Sequence, residues 1–420
     1  MTATEYQPIP EVAPDEARSP AGTVVMKFGG TSVAGPERLK AVAQRLVEAR
    51  ERGHRVVGVL SAMGDTTDEL LDLAHEVSAH PDPRELDMLI SVGERISCAL
   101  AAMAIKDLGH EAISLTGSQA GIVTDGVHTK AKIVDVRAKR INEALDRGAV
   151  VLVAGFQGVS SESLDVTTLG RGGSNLTAVV LAAALGAEAC VMNTDVEGIF
   201  TADPRIVPEA RKLHAVTYDE MLEMSASGAK VLQLRSVEFA RNHSVRLHVR
   251  STFSDADGTW VLEEDDRMLE KAMISGVVHT REEMVYRVAG IGAAELFDAL
   301  ADAAVNVDTI VQTDRDEIVF SAPTEDHPAV ARVLDEISGK WSHRDDLGKV
   351  SIVGAGMKSH PGIAAKTFAT LKEQGIEPLV VTTSPIKIAC HVGSDDVETA
   401  VRALHAAFEL DRPEAERGHG

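Results

Sequence analysis

The run Thr167-Thr168-Leu169-Gly170-Arg171-Gly172-Gly173-Ser174-Asn175-Leu176-Thr177 sets an arginine inside a glycine-rich turn and leads into an apolar, helix-like stretch, Ala178 to Ala187. Glycines let a backbone approach a ligand, a helix N-terminus presents unpaired N–H groups, and a guanidinium fork suits a carboxylate or phosphate. The layout is that of an anion clamp. Ser174 and Asn175 are also favoured helix N-caps, so their types fit a purely structural start of the helix as well. Near the beginning, Lys27-Phe28-Gly29-Gly30-Thr31-Ser32 places a lysine at the C-terminal end of the apolar run Thr23 to Phe28, beside two glycines able to donate backbone N–H groups. The lysine precedes the glycines, so this is not a Walker A loop.

The elements that position these groups are short apolar strands alternating with alanine-rich helices. Thr23–Phe28 reads as a strand, Pro36–Arg52 as a helix, and Val56–Leu60 as a strand ending at Ser61-Ala62-Met63-Gly64. Val150–Ala154 and Ala189–Met192 are continuous apolar runs, expected of parallel strands covered on both faces. A layered α/β domain with a mostly parallel sheet is therefore predicted, closing with a strand at Leu247–Arg250 and a turn at Asp255–Gly258. Beyond Met268 a strand-helix-strand pattern occurs twice. Met284–Val288, Ala293–Ala303 and Val305–Gln312 make one copy; Lys349–Val353, Gly362–Gln374 and Ile376–Thr382 make the other. Each adds a strand (Glu317–Phe320, Ile386–His391) and a helix (Pro328–Ile337, Asp396–Phe408), which predicts two ferredoxin-like βαββαβ units.

At 420 residues the chain exceeds one hydrophobic core, and 44% hydrophobic content suffices for two or more. A formal net charge of −22 disfavours nucleic acid and anionic membranes. Cys98, Cys190 and Cys390 are far apart in apolar stretches, which fits buried reduced thiols in a cytoplasmic protein and no metal-ligand set. The sequence reads as lacking the ~20-residue apolar run of a membrane span. Residues 1–21 read as a disordered tail rather than a signal peptide.

Together with Thr194-Asp195-Val196-Glu197-Gly198-Ile199-Phe200-Thr201-Ala202-Asp203-Pro204-Arg205, these motifs resemble the signature set of aspartate kinases, and the repeats look like the paired ACT domains of that family. The resemblance runs from Val24 to Leu410. It implies a tail at 1–21, an amino-acid kinase domain at 22–262, ACT domains at 268–345 and 346–412, and a short tail at 413–420. It also implies transfer of phosphate from ATP, with Mg²⁺ carried in on the ATP phosphates, to the side-chain carboxylate of L-aspartate. By the same correspondence Lys27, Lys230 and Asn175 are catalytic. Arg171 holds the α-carboxylate, Glu94 receives the α-ammonium, and Ser61, Thr67, Phe156 and Ser174 complete the acceptor pocket. Gly29, Gly30, Thr194, Asp195, Phe200, Asp203 and Arg205, with Lys27 and Lys230, line the nucleotide. A solvated helix lysine is the plain alternative for Lys230, and a helix-surface carboxylate for Glu94.

Three departures from the pattern matter. Asn175 stands where the family carries an aspartate, Leu176 replaces a small polar residue, and Phe200 replaces a tyrosine. In the first repeat, Val288-Ala289-Gly290-Ile291-Gly292-Ala293-Ala294 lacks the loop that opens an effector-binding helix and the hairpin between Gln312 and Ile318 is short; in the second, Pro385 follows Thr382-Thr383-Ser384 where an acidic residue is usual. The resemblance thus predicts weakened feedback by lysine or threonine and a homo-oligomer built through the ACT domains. The alternatives are a kinase with another amino-acid acceptor, or a weak or silent regulatory subunit in a hetero-oligomer with an active relative.

Overall fold

Apolar runs without polar alternation become parallel strands buried on both faces in the first half of the chain. The computed structural model describes residues 22–264, 274–312, 317–337, 340–355, 357, 360 and 362–412, in two compact units that meet between Asp195 and Val196. The expected tails 1–21 and 413–420, the hairpin residues 313–316, and part of the loop 354–361 lie outside the described residues.

The first unit opens with β1 (Thr23–Phe28), α1 (Pro36–Glu51) and β2 (Arg55–Leu60). Next come α2 (Thr66–Val77), α3 (Pro83–Ile90), α4 (Val92–Asp107) and β3 (Ala112–Leu115). After β4 (Ile122–Thr124), β5 (Ile133–Val136) and α5 (Lys139–Asp146) the chain enters β6 (Val150–Ala154). It then makes β7 (Gln157–Ser160), β8 (Val166–Thr168), α6 (Gly173–Ala184) and β9 (Ala189–Thr194). Strands in the order β9-β1-β2-β6-β3 are all parallel, and β5-β4-β7-β8 form a small mixed sheet. On α1, Leu39, Val42, Ala43, Leu46 and Val47 recur at helical spacing and pack with Cys98, Ala101 and Ile105 of α4 over β2 and β6. Each large side chain so buried contributes about 1.5–3 kcal/mol. The run Pro83–Asp107 is, against the sequence expectation, long and apolar enough to cross a membrane, but half of it is buried in the fold. It comprises two helices, α3 and α4, and the buried half serves the core.

The second unit begins with β10 (Ala215–Thr217), α7 (Tyr218–Ala226), α8 (Leu234–Asn242), β11 (Leu247–Ser251) and β12 (Thr259–Leu262). Thr217 and Glu220 form a capping box that starts α7. β12 is an addition to the expected last strand: it returns antiparallel to β11 after the turn at 255–258.

β13 (Gly276–Thr280) precedes the first repeat, which consists of β14 (Glu283–Ala289), α9 (Ala293–Asp302), β15 (Ile310–Gln312), β16 (Glu317–Pro323), α10 (His327–Ile337) and β17 (Trp341–Arg344). Its strand order, β15-β16-β14-β17, is ferredoxin-like. The second repeat has β18 (Leu347–Val353), α11 (Gly362–Glu373), β19 (Val380–Ser384), β20 (Lys387–Gly393) and α12 (Val397–Ala407). Its sheet, β13-β18-β20-β19, takes its outer strand from upstream of the first repeat, a strand the sequence reading did not resolve. The edge strands β15 and β19 start later than the apolar runs suggested. The core of the second repeat also receives Ala202, Ile206 and Val207. There Val277 N–H donates to the Thr201 carbonyl (2.8 Å), Thr201 Oγ1 bonds His405 Nε2 (2.9 Å), and Arg402 Nε donates to the Ile206 carbonyl (3.0 Å).

A buried charge cluster joins the two repeats. Lys349 on β18, fully buried, bonds Glu283 of β14 and lies 2.5 Å from Asp308, while His391 Nε2 of β20 is 3.5 Å from Glu283. Burial alone would raise the Glu283 carboxyl, but the His391 contact and the Lys349 ammonium outweigh it and pull it down to about 2. Lys349→Ala should cost about 3–5 kcal/mol in denaturant unfolding at neutral pH, because two carboxylates lose their cation. The folded pKa of Glu283 lies below the unfolded one, so its stabilisation is present above the ordinary glutamate value and fades as pH falls toward about 2. Lys349→Ala should flatten that acid limb; an unchanged limb would exclude the cluster as its origin.

Candidate functional site

Three parallel strands end together and their exits are tied to one another. Ser61 N–H donates to the Phe28 carbonyl (3.1 Å) and Gly155 N–H to the Leu60 carbonyl (3.0 Å), so the C-terminal ends of β1, β2 and β6 share one rim. Such rims are where open α/β sheets bind ligands. Lys27, Gly29, Gly30, Ser61 and Phe156 stand on it. Gly64 N–H donates to the Gly30 carbonyl (3.1 Å), holding the glycine turn against the Ser61–Gly64 loop. Asn193, at the end of the adjacent strand β9, donates to the Lys27 carbonyl (3.1 Å). It was not singled out from sequence, although a polar residue closing an apolar strand was the available signal.

The Lys27 side chain is half-buried, and desolvation lowers its pKa to about 8 against the pull of nearby charge. Cys190 adjoins it too, but burial pushes that thiol up, so Cys190 is neutral when Lys27 titrates and Asp195 is the effective counter-charge. Glu94 lies in the first turn of α4 and is 3% exposed. Its Oε1 accepts from Ala62 N–H at 3.2 Å; its Oε2 is buried with no hydrogen-bond partner among the described residues. Burial raises its pKa to about 7, opposed by backbone N–H groups and Arg95. The surface-carboxylate alternative for Glu94 is therefore excluded. Thr67 sits in the first turn of α2, half-buried.

α6 begins at Gly173, five residues before the apolar stretch suggested. Its N-cap is Gly172, left-handed at φ 72°, and no side chain caps it. Ser174 and Asn175 thus lie inside the first turn, which corrects the capping alternative: Asn175 N–H bonds the Gly172 carbonyl (2.9 Å) and its side chain is half-buried. Ser174 is buried against β6, since a Cβ on Gly155 would fall 2.7 Å from Ser174 Oγ. Phe156 holds a left-handed backbone (φ 69°), donates N–H to Thr177 Oγ1 (3.2 Å), and accepts from Leu169 N–H (2.9 Å). Non-glycine residues in that region store strain, which clusters at functional sites. Arg171 is exposed on the turn between Gly170 and Gly172. Thr194 closes β9 and Asp195 follows it.

The remaining candidates belong to the second unit. Phe200 bridges to Lys212, and Arg205 donates to Asp203 by its backbone N–H (2.9 Å) and guanidinium (2.6 Å), which lowers the Asp203 pKa. Lys230 lies between α7 and α8 rather than on a helix, exposed and paired with Glu282. The first unit therefore offers a partly desolvated cation, a buried carboxylate with an open oxygen, and a helix N-terminus beside an arginine. Such a site suits a small zwitterion with a further anionic group.

The Amino acid kinase family model matches residues 22–251, and an ACT domain model matches residues 350–408. An aspartokinase of Mycolicibacterium smegmatis is 50% identical over 404 residues, 92% of this chain and 96% of that protein. The aspartate kinase of Synechocystis is 39% identical, with a TM-score of 0.53 over 92% of this chain and 69% of that one. Escherichia coli aspartokinase III, solved with aspartate and ADP, shares the fold at a TM-score of 0.81 and 23% identity, over 92% of this chain and all of that one. The chain belongs to the amino acid kinase family and, within it, to the aspartokinases.

Proposed function

We propose a division of labour for the reaction that this chain catalyses, the ATP-dependent phosphorylation of the side-chain carboxylate of L-aspartate to 4-phospho-L-aspartate. A carboxylate oxygen attacks the γ-phosphorus and ADP leaves, so the protein's task is alignment and neutralisation of charge. Glu94 receives the α-ammonium; its buried, unpartnered oxygen is the observation that carries this assignment. Arg171 takes the α-carboxylate as a fork, with Ser61, Thr67, Phe156 and Ser174 around it. Lys27 sits between the acceptor and the transferred phosphoryl. Gly29, Gly30, Thr194, Asp195, Phe200, Asp203, Arg205 and Lys230 are assigned to ATP. Among the described residues no three His, Cys, Asp or Glu side chains converge as a metal cage. Mg²⁺ would be carried in on the ATP phosphates and would neutralise their charge.

Purified protein with ATP, Mg²⁺, aspartate and hydroxylamine should give the trapped aspartyl hydroxamate. Its absence, with ATP binding intact, would instead support a silent regulatory subunit.

The pH dependence follows from two groups. Glu94 must be ionised to hold an ammonium and Lys27 protonated to neutralise phosphate. In the free enzyme kcat/KM for aspartate should fall below pH about 7 and above about 8. Glu94→Gln should lower kcat/KM and erase the acid limb. An acid limb that survives this change would remove Glu94 from the assignment.

Asn175 lies in the first turn of α6, where the amide supplies hydrogen bonds but no charge. Asn175→Asp should raise kcat roughly 10- to 100-fold with little change in the KM for aspartate, as expected of an electrostatic contact made mainly in the transition state. A rise with another amino acid but not with aspartate would mean that Asn175 and Leu176 have re-tuned the acceptor pocket.

A further inference from the structure

Behind the glycine-rich turn lies a carboxylate that none of these assignments uses. Asp87 of α3 is fully buried. Its oxygens accept from Thr129 N–H (3.1 and 3.2 Å), from the Thr168 hydroxyl (2.5 Å), and from His128 Nδ1 (2.7 Å). An ionised carboxylate only accepts, so Nδ1 carries the proton in this pair. The three donors come from two segments: the loop after β4, and the last residue of β8. That residue, Thr168, is three positions before Arg171, and its carbonyl accepts Ala131 N–H (2.9 Å), which ties the two segments together a second time.

The backbone here is strained where the carboxylate grips it. Thr129 has φ 65°, a left-handed conformation that is a genuine outlier for a β-branched side chain. Its carbonyl faces the turn: a Cβ on Gly170, itself left-handed at φ 74°, would lie 3.2 Å from Thr129 oxygen. Gly170 in turn accepts Gly173 N–H (3.0 Å), the first residue of α6. A continuous path of contacts therefore runs from Asp87 through Thr129 and Thr168 to Gly170 and the start of the helix.

We propose that Asp87 is the positioning residue of the acceptor clamp: by holding Thr129 left-handed and anchoring Thr168, it fixes the Gly170-Arg171-Gly172 turn and so the direction in which Arg171 meets the substrate. The inference rests on the reading of Arg171 as the α-carboxylate clamp. A purely structural Asp87 would stabilise the fold without discriminating between substrates. A positioning Asp87 acts on aspartate alone, and only while Arg171 is present.

The test is steady-state kinetics on the full chain, with aspartate and ATP varied separately and thermal unfolding followed alongside. Asp87→Asn keeps the size but puts an NH₂ group among donors. It should raise the KM for aspartate roughly 10- to 100-fold, the scale of an ångström-sized misplacement, with the KM for ATP within about twofold. In an Arg171→Ala background the same change should add little, since the two act as one unit. Thr129→Gly, which removes the left-handed penalty, should recover part of the loss caused by Asp87→Asn. If Asp87→Asn fails to fold, Thr168→Val deletes one of the three donors and takes its place in the cycle. Multiplicative effects of Asp87→Asn and Arg171→Ala, or equal loss of affinity for aspartate and ATP, would overturn the positioning role and leave the clamp intact. An Arg171→Ala variant with unchanged KM for aspartate would overturn the clamp reading itself, and the proposal with it.

Discussion

Taking charge out of water at one rim of a parallel sheet is the constraint on which the rest depends. Lys27 and Glu94 are both desolvated there, which shifts each toward its neutral form. Neither is the other's main counter-charge: Asp195 acts on Lys27, and Arg95 on Glu94. An ion pair between the two would have quenched both. Keeping them apart leaves each ready for a group of the substrate, so the net penalty of burial is offset when ligand arrives. Only a rigid frame can hold such groups separate. The fully buried strand β6, the exits of β1 and β2 bonded to their neighbours, and α4 wedged against Ala62 supply that frame.

Much of this was legible in the sequence, for identifiable reasons. Continuous apolar runs gave β1, β2, β6 and β9, because strands covered on both faces cannot alternate. Lys27 was legible as the one cation closing such a run before two glycines. The start of α6 was not, because two consecutive glycines read as a turn, whereas the left-handed Gly172 launches the helix and Gly173 is already inside it. Asp87 was invisible for a different reason. A single aspartate in an amphipathic helix reads as surface, and its partners at 128, 129 and 168 come together only in three dimensions. β13 escaped notice because five residues isolated from their repeat carry no periodicity of their own.

The segment Phe200–Arg205 is subject to two demands. Its backbone belongs to the second repeat: Thr201 is bonded by β13 and α12, and Ala202 is part of that core. Its side chains Asp203 and Arg205 are the pair assigned to nucleotide. Helix α7 is tied to the same repeat through Glu223, which bonds Ser384 (3.1 Å) and Lys387 (2.9 Å). The second repeat needs no long relay to reach the segment assigned to nucleotide, since its own core residues are contiguous with it.

The pairing of β13 with β18 makes an antiparallel hairpin, Thr280 opposite Lys349 and Gly276 opposite Val353. What ordinarily would be a turn of a few residues is here the entire first repeat. For a disordered connection of that length, bringing the strands together carries a loop-closure entropy that grows with the logarithm of its length. A folded repeat whose first and last strands, β14 and β17, are themselves paired side by side removes most of that entropy in advance. The inner repeat thus acts as a folded clasp: its own order determines how readily the outer sheet closes, and any loosening within it is felt as a weaker edge strand bonded to Thr201.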